Sequence, residues 1–345
     1  MLFEEIVTPA ALELARPEVK RRLAKRRKFM MMLAPWVRRW EEARAAGVRY
    51  RISQRSARLI VRTSSLDHAG DYLQLGVEML GANIGALTCQ PNGEIVFVAN
   101  PGFLRGFGGS RGGRVLRQAL DSWSHSSLRP LRWRGDDEDG AAIRQLLDAA
   151  HLIQRRRARQ QPERVLWHKI FDAFTGAKTP RQGRGPAYPQ LQSYTVVRPM
   201  GVAMQFPTVL GRQQVRESAR KVPTGRADLL LRDGRRALFV AELKAPDGDE
   251  PAAALVQAIR YAVALRAEAD DEDACECYRA VFKAAAGPLT FGAIAVLHEC
   301  HEDAARRALD GLGAHDMRIG VLLYGTPRGP DDPVPPRSVR WLRRP

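Results

Sequence analysis

The chain has 345 residues, 45% of them hydrophobic, which is length enough for one large or two ordinary cores, and two domains is the expected count. Its 55 Lys and Arg against 38 Asp and Glu leave a formal charge of +17, most of the excess being arginine, so a polyanionic partner is expected. Four cysteines in so long a chain exclude a disulfide framework. No stretch approaches the ~20 apolar residues of a membrane helix, and Glu4, Glu5 and Glu13 interrupt any leader-like start, so a cytoplasmic protein without a membrane partner is expected.

Residues 17–40, including the run KRRLAKRRKFMMMLAPWVRRW, have helical tendency, with Pro35 ending or kinking the helix. The cations surround this helix, so it reads either as a phosphate-contacting arm or as a solvated face over an inward-packed Phe29–Leu33. Strands are predicted over 48–52 and 57–63, a helix over 71–80, and a strand pair over 84–88 and 94–99 joined by Pro91-Asn92-Gly93. This is a small α/β or α+β unit suited to recognition, regulation or assembly. The glycine-rich run Gly102–Arg114 reads as a flexible loop before a helix over 115–123, and it lacks the Gly-Lys-Ser/Thr of a phosphate-binding loop. Punctuation at Asp136–Gly140 sets a boundary, giving an N-terminal basic domain 1–140, a second domain 141–326 and a Pro-rich basic tail 327–345 that reads as extended.

The second domain opens with a helix, Pro162–Gly176, bounded by proline in its first turn and glycine at its end. Glu163, Trp167, Ile170 and Phe174 recur at helical spacing on one face. A glutamate in a first turn also complements the helix dipole. Strands follow over 191–197 and 202–206. Arg212, Arg216 and Arg220, four residues apart, form either a row of guanidiniums facing nucleic-acid phosphates or a solvated helix face.

Two apolar runs, Ala227–Leu231 and Ala237–Leu243, flank Asp233-Gly234 and predict a β-hairpin. Alternation along the second strand puts Glu242 and Lys244 on one face. Ions at the end of an apolar strand need a partner or a metal, because burial of each costs on the order of several kcal/mol. With Asp228 at the mouth of the preceding strand, two carboxylates and one ammonium converge, an arrangement suited to a hard divalent cation and to stabilising charge on phosphate oxygens. A helix over 251–268 carries Gln257 and Tyr261 on one face, the acidic stretch 268–276 reads as a solvated loop, and buried strands over 290–299 and 317–326 enclose a helix near 302–312.

Asp228, the hairpin, Glu242-Leu243-Lys244 and the helix bearing Gln257 and Tyr261 resemble the PD-(D/E)XK nuclease superfamily, over roughly residues 162–324. Ala227 stands where the family's name has proline. The resemblance implies an α/β fold of the restriction-endonuclease-like type, a central mixed sheet flanked by helices, in addition to the N-terminal α/β or α+β domain. It implies a metal-dependent nuclease hydrolysing DNA, with Asp228 and Glu242 binding Mg2+ (Mn2+ substituting), Lys244 assisting the attacking water, Gln257 lining the site and Glu163 as a further metal-associated carboxylate. The Glu242–Pro246 core places it beside Shedu-like and restriction-type bacterial defence nucleases. DNA is the expected partner, RNA the other polyanion of suitable chemistry, and a homo-oligomer, by preference a dimer, the expected assembly. The competing reading is a non-catalytic nucleic-acid-binding or assembly protein on the same fold.

Overall fold

The computed structural model describes residues 2–24, 26–27, 30–31 and 34, five strands between residues 58 and 132, and residues 162–177, 185–197, 203–204, 206–211, 224–234, 237–247, 251–284, 287–328 and 332–345. Contacts divide the chain into two compact units. One consists of Met1–Ala34, Leu166–Arg198 and Met204–Pro345, the other of Pro35–Val165 with Pro199–Ala203. The boundary expected at Asp136–Gly140, the loop 102–114 and the helix expected over 115–123 lie outside the described residues, as do Arg212, Arg216 and Arg220.

The second unit is read from its strands. β1 (Arg58–Val61), β2 (Gln74–Met79), β3 (Ala82–Cys89), β4 (Ile95–Ala99) and β5 (Leu131–Arg132) are joined by antiparallel pairing in the order β5-β4-β3-β2-β1, with the short β7 (Ala203–Met204) beyond β1. The helix expected over 71–80 is therefore a strand. Leu75, Val77 and Met79 alternate with Gln74, Gly76 and Glu78, a period of two that favours a sheet with one apolar face, and Gly76 weakens a helix at its centre.

The first unit is built on a six-stranded mixed sheet in the order β14-β13-β12-β11-β10-β6. Its strands are β6 (Tyr194–Val196), β10 (Leu229–Asp233), β11 (Ala237–Leu243), β12 (Thr290–His298), β13 (Arg318–Tyr324) and β14 (Arg340–Arg343). β11–β12 and β12–β13 are parallel and the remaining neighbours antiparallel. The hairpin forms as the apolar runs and turn dictate: Leu229 pairs with Ala241, Asp233 with Ala237, and Gly234 takes φ +58° in the turn, a region that glycine enters without a Cβ clash. All seven residues of β11 are buried, as a strand with parallel and antiparallel neighbours requires. A separate two-stranded ribbon joins β8 (Phe206–Gly211) to β9 (Thr224–Ala227).

Among the helices, α1 (Phe3–Leu14), α2 (Pro162–Gly176), α3 (Pro251–Ala269), α4 (Glu272–Phe282) and α5 (Glu302–Asp310) follow in chain order. α3 packs on β11 and β12, and its Leu255, Ile259, Ala262 and Leu265 are buried. The back of α3 is covered by the N-terminal segment: Ala10 and Val19 are buried against Val209, Leu210 and Ala264, and Glu13 binds Arg260 at 2.5 Å. Two of the N-terminal cations also turn inward. Arg26 is 1% exposed beneath the Phe206 ring, 3.8 Å from its centroid, and Arg27 donates to the carbonyls of Ala267 and Glu268 at the end of α3.

The acidic stretch 268–276 is not a solvated loop. Glu268 is fully buried, and α4 begins at once, with the Asp271 carboxylate accepting the Ala274 N–H at 3.1 Å as its N-cap. Glu272 and Asp273 in its first turn complement the helix dipole, while Ala274, Tyr278, Val281 and Phe282 form its buried stripe. Residues 332–345 of the Pro-rich segment are likewise packed, not an extended tail. Tyr188 donates to the Val334 carbonyl at 2.7 Å, Gln190 donates to Pro336 and Val339, and β14 pairs with β13. No described helix is long and apolar enough to cross a membrane.

Candidate active site

Asp228 occupies the single residue between two strand systems. Ala227 is the last residue of β9 and pairs with Phe206, whereas Leu229 is the first of β10 and pairs with Ala241. At this break the main chain leaves one ladder before joining the next, and buried N–H and C=O groups there need other partners. The N–H of Asp228 donates to Glu242 Oε1 at 3.4 Å, and its carbonyl accepts the indole N–H of Trp167 from α2. The Asp228 side chain in turn extends the β10–β11 ladder by one step, its Oδ2 accepting the N–H of Leu243 at 2.9 Å. The two carboxylates are thus fixed on adjacent strand ends.

β11 ends beside them. Glu242 is 1% exposed and Lys244 8%. Lys244 has its N–H bound to the Val296 carbonyl at 3.0 Å and its carbonyl bound by the Tyr324 hydroxyl at 2.8 Å. With the main chain held on both sides, the side chain runs to α3, where Nζ donates to Gln257 Oε1 at 3.5 Å. The ammonium only donates and so takes the amide oxygen, which leaves Gln257 Nε2 to donate to the Tyr261 hydroxyl at 3.2 Å. Gln257 and Tyr261 meet in this way because they stand four residues apart on one helix. Tyr261 itself reaches the ribbon so closely that a Cβ on Gly225 would come 1.9 Å from its hydroxyl.

The neighbouring strand end carries His298. Its Nδ1 accepts the Cys300 N–H at 3.2 Å, so Nε2 carries the proton donated to Thr326 Oγ1 at 2.8 Å. Burial lowers its pKa, which suits this neutral tautomer. His301 holds the Pro246 carbonyl at 3.0 Å, just beyond Lys244.

Asp228 is therefore joined to Glu242, and Lys244 to Gln257, with Tyr261 behind the glutamine. Glu163 lies on α2, four residues before Trp167, and its side chain is outside the described residues. Sequence reasoning read Trp167 only as a member of the apolar stripe on α2 and did not single out Tyr324. The hydrogen bond each makes to the main chain of a site residue leaves no mark in local spacing.

Among the described residues no three His, Cys, Asp or Glu side chains form a metal-ligating cluster. Two carboxylates with polar neighbours nevertheless fit a hard divalent cation of the magnesium type, which takes oxygen donors and is commonly held by one or two carboxylates while keeping several waters. Compared with protein-family models, curated proteins and solved structures, the chain finds no match.

Proposed function

We propose that this protein is a metal-dependent nuclease that hydrolyses phosphodiester bonds of DNA, with a restriction-endonuclease-like core and a site of the PD-(D/E)XK type. The observation that carries the reading is the joining of Asp228 and Glu242 at two adjacent strand ends, with Lys244 two residues after Glu242 and tied to Gln257. A solvated surface salt bridge would not need Glu242 and Lys244 buried to 1% and 8% exposure. Asp228 and Glu242 would hold Mg2+, with Mn2+ able to substitute. Such an ion supplies Lewis-acid polarisation of the phosphodiester and a more acidic water.

The protein's own groups then have distinct tasks. Gln257 Oε1 orients the Lys244 ammonium, and an ammonium fixed in a poorly solvated site stabilises negative charge developing on phosphate oxygens more strongly than one in water. The Glu242 carboxylate restrains Asp228 through its N–H, so neither carboxylate has to reorganise as charge develops. The net charge of +17 supplies long-range attraction to a polyanion. Within this reading the protein acts in the cytoplasm, as a bacterial defence or restriction-type enzyme, in the form of a homo-oligomer, by preference a dimer.

The test is incubation of the purified chain with supercoiled plasmid, linear DNA and RNA in Mg2+, Mn2+ or chelator. Metal-dependent cutting of DNA that Glu242→Gln abolishes is the expected result. Binding without cutting under every metal would transfer the site to a non-catalytic nucleic-acid-binding protein.

A further inference from the structure

We infer that Trp167 is a positioning residue for Asp228: from α2, it fixes the aspartate's main chain at the break between β9 and β10, and so sets where the carboxylate points. The argument starts from the break itself. Asp228 lies outside the register of both ladders, which end at Ala227↔Phe206 on one side and Leu229↔Ala241 on the other. Side chains bind the main chain of Asp228 at this position. Its N–H is taken by Glu242, and its carbonyl by the indole N–H of Trp167. The first contact comes from within the site and the second from a helix outside the sheet.

Trp167 is itself immobilised. It is 6% exposed, stacks on Phe171 with ring centroids 5.4 Å apart and an interplanar angle of 23°, and stands among buried Leu166, Ile170 and Phe174. An apolar stripe needs only a large hydrophobe at this position. The indole adds a donor in a fixed direction, and tryptophan is the one large aromatic whose ring carries an N–H. Rotation of the Asp228 peptide would swing its carboxylate away from the Leu243 N–H that Oδ2 now accepts at 2.9 Å. The Leu243 amide is therefore a reporter of carboxylate position that does not depend on catalysis.

The experiment is amide hydrogen exchange on the full chain, comparing wild type, Trp167→Phe, and a chain with benzothienylalanine at position 167, which keeps the indole outline and removes only the N–H. The second variant decides the matter if Trp167→Phe disturbs folding. Exchange at Leu243 and Asp228 is expected to accelerate at least tenfold in both variants, with an Asp228→Ala control expected to do the same at Leu243, while the Ile259 amide within α3 keeps its protection. Unchanged exchange at Leu243 in a folded variant overturns the inference. A second arm, calorimetric titration with Mn2+, rests on the nuclease reading; there the variants are expected to bind at least threefold more weakly than wild type. If wild type neither binds Mn2+ nor cuts DNA, the nuclease reading falls, and the exchange result still decides the role of Trp167.

Discussion

Asp228 and Glu242 restrain each other across the strand ends: Glu242 Oε1 accepts the Asp228 N–H, and Asp228 Oδ2 accepts the N–H of Leu243, the residue next to Glu242. The interaction is reciprocal and runs through the main chain, so moving either carboxylate breaks a backbone hydrogen bond as well as altering the site. In the proposed nuclease, structural and catalytic roles would be superposed here, and substitutions have to be chosen to separate them.

Asp228→Ala removes an acceptor from a part-buried N–H and is expected to cost about 1–3 kcal/mol of stability, read from the urea midpoint. Asp228→Asn keeps an oxygen for Leu243 and should cost less, while abolishing cleavage equally if the charge is what the reaction needs. If the protein is the proposed nuclease, Lys244→Ala should bind DNA nearly as wild type does and cut it at least ~100-fold more slowly, the loss belonging to the transition state. Raised Mn2+ should partly restore Asp228→Asn and do less for Lys244→Ala. Equal cleavage by wild type and Lys244→Ala would place the activity elsewhere.

The chain of contacts Lys244–Gln257–Tyr261 ends against the backbone of Gly225. A methyl group there would meet the Tyr261 hydroxyl and ring at 1.9 to 2.8 Å, and Tyr261 is 1% exposed with little room to withdraw. Gly225→Ala should therefore destabilise by about 1–3 kcal/mol, as overpacking does, and should release Gln257 from its tyrosine partner. Tyr261→Leu should suppress much of that cost. A Gly225→Ala melting temperature equal to wild type in the Tyr261 background would contradict the close approach.

The legible parts of the fold are those whose pattern is local. The Asp233-Gly234 turn with apolar runs on either side identifies the β10–β11 hairpin, and proline and glycine bound α2 at Pro162 and Gly176. Spacing along α3 also placed Gln257 with Tyr261. Two errors came from local rules applied with the wrong weight. The alternation through Leu75, Val77 and Met79 yielded to a helical reading, and acidity at 268–276 hid both the Asp271 cap and the buried Glu268. What could not be read was long-range. Trp167 lies 61 residues from Asp228, Tyr324 80 from Lys244, and Glu13 247 from Arg260, and no periodicity connects such pairs.

Glu302 offers a pH test of how β14 is held. Its carboxylate accepts from Arg340 on β14 and from Arg306 one turn along α5, and these hydrogen bonds lower its pKa from 4.5 to about 2. A depressed carboxylate pKa contributes stability that is present above its ordinary value and is lost as pH falls through the folded value. The contribution should hence fade between 4.5 and about 2, and Glu302→Gln should remove it at neutral pH. The measurement is an NMR titration of Glu302 alongside amide exchange in β14. An ordinary pKa for Glu302 in wild type, or a depressed one that Arg340→Ala leaves unchanged, would show that the Glu302–Arg340 ion pair is not formed in solution.

Arg26 and Glu268 form a buried ion pair, 3.5 Å apart and 1% and 0% exposed, with the Tyr278 hydroxyl donating to the same carboxylate. Burial pushes the Glu268 carboxyl up, and Arg26 and Tyr278 pull it back. The pair ties the N-terminal segment to the end of α3, the helix that carries Gln257. Removing one partner leaves the other charge buried and should cost about 3–5 kcal/mol, so Glu268→Gln and Arg26→Met are each expected to be strongly destabilising. Combining them removes both buried charges while Gln at 268 still accepts from Tyr278, so the double variant should recover much of the loss, giving a large coupling energy in the cycle. The sign with pH follows from the raised carboxyl: the native state holds the proton more tightly than the unfolded chain, so stability falls as pH rises from the ordinary carboxylate range through the folded pKa. Without Arg26 that pKa moves higher still. Arg26→Met should therefore lose more stability near neutral pH than below about pH 5, and the double variant should lose this dependence. Additive single-variant losses, or an Arg26→Met stability that is flat with pH, would mean that the two side chains do not interact as a charged pair.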